Sequence, residues 1–156
     1  MHAPSRWYCR TILAWVIVVA SAGVAAQGVF VVTEPWVRPG AAKQSTVAFM
    51  RLMSSTGATL IGARTELAAN VVLRSPTGKV ASPMALPLPA GEIVTLQSRG
   101  YRLVLQSLAH GLKQGDRVPM VLTMRNAEGQ VQEIAVDAEV RLHSPTDDHQ
   151  LPHTHP

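Results

Sequence analysis

The sequence predicts an all-β domain, an antiparallel sandwich or barrel. Three observations carry this: apolar stretches that are short and rich in valine, leucine and threonine, turn residues that separate them, and no convincing helical period. The first two candidate strands are 29–32 and 46–53, and Ser54-Ser55-Thr56-Gly57 closes the second. Strands at 60–65 and 70–74 follow, and Pro76-Thr77-Gly78-Lys79 supplies the next turn. Pro89-Ala90-Gly91-Glu92 precedes 93–96, and 101–105 runs on towards Gln114-Gly115-Asp116. The last two strands, 118–125 and 131–136, flank Asn126-Ala127-Glu128-Gly129, which reads as a hairpin loop closing the domain. Eight such segments at this spacing suit a sandwich or barrel.

A chain of 156 residues fits one modest domain. Its ends do not belong to that domain. Residues 11–26 carry no charge and follow Arg6 and Arg10, the pattern of a secretory signal peptide. The run is shorter than the roughly 20 residues of a membrane-crossing helix, and Val24-Ala25-Ala26 offers the small residues of a cleavage site. Cleavage is expected after Ala26, with export to the periplasm. Trp15 and the valines also suit an uncleaved N-terminal membrane anchor, and N-terminal sequencing separates the two cases.

Removal of 1–26 takes two of the fourteen basic residues and none of the ten acidic ones, so the net charge falls from +4 to +2. The remaining Lys and Arg are scattered singly, which argues against nucleic-acid binding. Cys9 leaves with the signal, and the residues before it do not resemble a lipoprotein cleavage box. The expected mature chain, 27–156, therefore has no disulfide, cysteine nucleophile or thiolate ligand.

The expected domain spans 27–140, and from 141 the composition turns polar and proline-rich, which reads as a flexible tail. His143, His149, His153 and His155 crowd into it with Asp147 and Asp148. Three imidazoles and Asp148 could surround one ion, a donor set that favours Cu(II), Zn(II) or Ni(II) over Cu(I). The plain alternative is a solubilising tail, since Pro145, Pro152 and Pro156 oppose any helix that would fix the ligands.

Other singled-out residues read as structural. Met120 and Met124 share a strand face with Leu122 between them, which marks core packing; Met84 suits a loop or core position, and His110 a solvated loop. No nucleophile elbow, paired-carboxylate constellation, zinc-protease helix or phosphate loop is visible, so catalysis is not expected.

The order of segments carries a family resemblance. Glu34-Pro35-Trp36-Val37-Arg38, Thr46-Val47-Ala48-Phe49-Met50-Arg51-Leu52, Leu88-Pro89-Ala90-Gly91, Gly100-Tyr101-Arg102-Leu103 and Gly111-Leu112-Lys113-Gln114-Gly115-Asp116 recur in one arrangement. Over roughly 31–136 the chain resembles the PCu(A)C-type periplasmic copper chaperones. The resemblance implies a cupredoxin-like, Greek-key β-sandwich that carries Cu(I) and helps to metallate cytochrome c oxidase. It also implies partners among periplasmic copper proteins or oxidase assembly factors; the cleaved signal leaves no expected membrane span, and a monomer is expected.

The family's copper ligands are two histidines and two methionines, in the order His, Met, His, Met. Carried over, these positions fall on Arg74, Val80, Arg102 and Val104. Only five residues separate Arg74 from Val80, which implies a shortened loop. Guanidinium offers donors only and valine has no lone pair, so Cu(I) is not expected at the scaffold site. Two expectations follow: copper handling with metal at the tail, or a metal-free module whose Arg74 and Arg102 contact an acidic partner or small anion.

Overall fold

Alternation along the closing hairpin shows how this sequence builds its walls. Val118, Met120, Leu122 and Met124 of one strand and Val136, Ala138 and Val140 of the other are buried, while Arg117, Arg125, Glu133 and Asp137 between them face solvent. The turn is set by Asn126: its carbonyl accepts from Gly129 N–H at 3.1 Å, its side-chain oxygen accepts from Gln130 N–H at 2.8 Å, and Gly129 adopts a φ of 83°.

The computed structural model describes residues 28–145, and the described chain is all β with no helix. The nine strands are β1 (Phe30–Val37), β2 (Thr46–Ser54), β3 (Ala58–Arg64), β4 (Ala68–Arg74), β5 (Leu86–Leu88), β6 (Ile93–Leu96), β7 (Arg102–Leu108), β8 (Arg117–Asn126) and β9 (Val131–Val140). They join in the order β4-β7-β2-β1-β9-β8-β3-β5, with β6 paired to β2 beside this path. The sheet curls so that one face encloses a core of Val37, Ala48, Leu52, Leu60, Leu103, Leu105, Met120, Leu122 and Val136.

All eight expected strands form, and three details differ. The pairing is not wholly antiparallel, because β1 runs parallel to β9 through Trp36–Glu139 and Val37–Val140. This contact joins the two ends of the domain. A ninth strand, β5, forms around Pro87; it pairs only with β3 at the sheet border, where a residue lacking N–H costs no ladder bond on its open side. β1 also outruns its expected limit at residue 32, because a bulge between Thr33 and Trp36, with Glu34 at φ 52°, carries the strand past Pro35. The core readings of Met120 and Met124 hold, both being buried, and Met84 packs half-buried against the core.

The 1–26 segment lies outside the described residues. At the other end, Arg141 still belongs to the folded part: its N–H donates to Val37 O at 2.9 Å and its guanidinium pairs with Glu139 at 2.8 Å.

Candidate functional site

The Arg74, Val80, Arg102 and Val104 positions come together. Arg74 and Arg102 are direct cross-strand partners at the open end of the β4–β7 pair. The turn after β4 folds back through Ser75 N–H to Lys79 O (2.9 Å) and Ala81 N–H to Leu73 O (2.9 Å), which sets Val80 opposite Arg74 in an isolated bridge. Val104 follows Arg102 by two residues and so shares its face, opposite both Val72 and Val47. Leu73, Leu103 and Leu105 point the other way, into the core.

A third arginine, absent from the sequence-derived set, joins this face. Arg38 N–H donates to Val47 O at 3.0 Å, which prolongs the β1–β2 pairing and brings Arg38 to the same open groove of about 470 Å³. Its guanidinium lies over the Phe49 ring, 5.7 Å from the centroid, and Phe49 in turn packs on Trp36 at 4.7 Å. Gly40 makes this path feasible: a Cβ there would stand 2.9 Å from Leu108 Cδ1 and 3.1 Å from Thr46 Cβ. The Thr46 hydroxyl donates to Arg38 O at 2.7 Å and fixes the same turn. Sequence reasoning had one signal for Arg38, its place in the Glu34-Pro35-Trp36-Val37-Arg38 segment, but nothing local to connect it with Arg74.

The groove is lined by Arg38, Arg74 and Arg102 above Val47 and Val104, and no carboxylate lines it among the described residues. Arg74 Nη1 reaches Gly78 O at 3.5 Å, and Arg74 Nε is buried without a partner among the described residues. Arg102 Nη1 donates to Gly100 O at 3.3 Å and Ser98 O at 3.4 Å, both long contacts. This donor set does not fit copper. It offers cationic N–H groups and methyls where a copper ion needs imidazole nitrogen or thioether sulfur.

Among the described residues no three His, Cys, Asp or Glu side chains stand together as a metal site. His110 is exposed, with Nδ1 3.0 Å from Gly111 O. His143 is exposed too, beside Glu139 and Arg141 in a small cavity of about 150 Å³. His149, His153, His155 and Asp148 lie outside the described residues. No described helix is long and apolar enough to cross a membrane.

The model of the lipoprotein LpqE-like family matches residues 30–141. The chain belongs to the LpqE-like family. No curated protein matches the chain. Among solved structures, the apo PCuAC domain from PmoF1 superposes with a TM-score of 0.61 at 19% identity, over 72% of this chain and 92% of that domain. The copper-bound PCuAC domain from PmoF2 gives 0.60 at 20% identity, over the same shares. The Cu(I) form of DR1885 from Deinococcus radiodurans gives 0.52 at 26% identity, over 80% of this chain and 88% of that one. Fold and family agree with the resemblance to PCu(A)C-type, copper-chaperone-like proteins. This member of the fold carries arginine and valine at the positions where the resemblance places the copper ligands.

Proposed function

We propose that this chain is an exported copper-chaperone-like binding protein, not an enzyme, whose folded domain has given up Cu(I) and whose metal binding resides in the histidine-rich tail. The observation that supports the loss is the cross-strand pair of Arg74 and Arg102 within a PCuAC fold. Two fixed positive charges repel an approaching cation, and neither can become a ligand. The tail, with His143, His149, His153, His155 and Asp148, suits Cu(II) or another divalent ion. A role in periplasmic copper handling towards cytochrome c oxidase assembly follows from the family, with a periplasmic copper protein or assembly factor as partner.

The test is a pair of Cu(II) and Cu(I) competition titrations on the mature chain and on a variant with His143→Ala, His149→Ala, His153→Ala and His155→Ala. The wild type is expected to bind Cu(II), the variant at least about tenfold more weakly, a loss of ~1.4 kcal/mol. Neither form is expected to hold Cu(I) against a competing chelator. Metal bound by neither form ends the copper reading, and Cu(I) retained by the variant overturns the loss of the scaffold site.

A further inference from the structure

We infer that the groove between β4, β7 and the β1–β2 connection is an oxyanion site, which takes a phosphate or a polycarboxylate where the resemblance would place a metal cation. The first argument is electrostatic. Like charges directly opposite on neighbouring strands destabilise a sheet, yet Arg74 and Arg102 stand in register, and Arg38 adds a third charge to the same groove. None of the three makes an ion pair with a described carboxylate. Arg51, Arg64, Arg117 and Arg141 each have one, to Glu34, Glu133, Asp137 and Glu139, while Arg99 and Arg125, which also lack one among the described residues, stand singly outside the groove.

The second argument is donor inventory. A guanidinium presents five N–H groups in a fork that matches the paired oxygens of carboxylate or phosphate. Arg74 and Arg102 spend only Nη1, on bonds of 3.3 to 3.5 Å, and Arg74 Nε is buried with no partner in the described residues. Most of the donors at the groove are therefore uncommitted. The third argument is pre-organisation: Phe49 supports Arg38, the β4–β7 register fixes the spacing of the other two, and the apolar floor of Val47 and Val104 lowers the local dielectric. The groove, about 470 Å³ and open to solvent, leaves room for a small anion to approach all three guanidinium groups.

The site uses no residue of the tail, so its failure would leave the metal reading of the tail standing, and the reverse holds as well. The experiment is calorimetric titration of the mature chain with inorganic phosphate and, separately, with citrate, at low salt. Arg38→Gln, Arg74→Gln and Arg102→Gln are compared with Arg64→Gln, whose side chain pairs with Glu133 on another face. At least one anion is expected to bind; each groove substitution should weaken it about tenfold, as expected for one lost charge-assisted contact, and Arg64→Gln should leave it unchanged. Saturation by phosphate alone assigns a phosphate site, and saturation by citrate alone a polycarboxylate site.

Thermal unfolding guards against misfolded variants. The bound anion should raise the wild-type melting temperature and leave that of the Arg74→Gln/Arg102→Gln double variant unmoved. The proposal is overturned if neither anion binds, if the groove substitutions do not weaken binding, or if Arg64→Gln weakens it as much as they do.

Discussion

Two outer faces of the curled sheet handle arginine in opposite ways. On the β3–β8–β9 face two arginines have acidic partners: Arg64 reaches over the intervening β8 to Glu133 at 2.9 Å and Arg117 reaches diagonally across the β8–β9 ladder to Asp137 at 2.8 Å, while Arg125 stands alone at the far end of β8 among the described residues. The hydrogen bond from Arg117 to Asp137 raises the Arg117 pKa above its ordinary value. On the β4–β7–β2 face, Arg74, Arg102 and Arg38 gather around one groove that no acid lines among the described residues. Both faces rest on the same core, so the difference is one of use. Paired or well-separated charges create little local potential, whereas three guanidinium groups gathered at one groove raise a positive potential that attracts anions.

Both faces share one core, and the largest expected effects come from cutting into it. Leu122→Ala beneath the paired face and Leu103→Ala beneath the arginine face should each cost about 2–5 kcal/mol in urea unfolding, because both side chains are wholly buried. A much smaller loss at either position would mean that its face is not built on the common core.

Next in size is the effect of placing the family's ligands at the four positions that the resemblance marks. The combined substitutions Arg74→His, Val80→Met, Arg102→His and Val104→Met should raise Cu(I) affinity by about a hundredfold over the wild type, since register and turn bring the four positions together. Recovery should remain partial because of the short turn between Arg74 and Val80. A competition titration with a Cu(I) chelator measures it, and unchanged affinity would show that the four positions no longer converge well enough to share an ion.

Smaller again is the effect of inverting one groove charge. Arg74→Glu sets a carboxylate opposite Arg102 and should stabilise the fold by roughly 0.2–1 kcal/mol in thermal unfolding while it abolishes anion binding. The smallest change is expected on the paired face, where Arg64→Ala removes an exposed ion pair and should cost less than about 1 kcal/mol. If Arg64→Ala and Arg74→Glu shifted stability in the same direction and by the same amount, the two faces would not differ as described.

Much of this fold was legible because its strands obey simple local rules. The runs from Val118 and from Val131 alternate apolar with polar residues, and Asn126 with Gly129 announces their turn. What escaped depends on partners distant in sequence. β9 reaches Val140 because Ala138 and Val140 are buried against the core, and its parallel contact with β1 joins residues that lie about a hundred positions apart. β5 was hidden by Pro87, which is tolerated only because the strand lies at the sheet border.

The candidate site was half legible. Arg74 and Arg102 emerged because the resemblance marked their places, and the register then set them face to face. Arg38 joins them through Val47, which is the partner of Val104, a relation that runs across three strands and has no local sequence signal.

The central claim, that a site built for a cation now serves an anion, is tested most directly by two amide-resolved NMR titrations of the mature chain, one with citrate or phosphate and one with Cu(I). The account predicts that the anion moves the amides of Arg38, Arg74 and Arg102 together and that Cu(I) leaves them in place. Cu(I) shifts centred on Arg102 and Val104, with no response there to either anion, would contradict it.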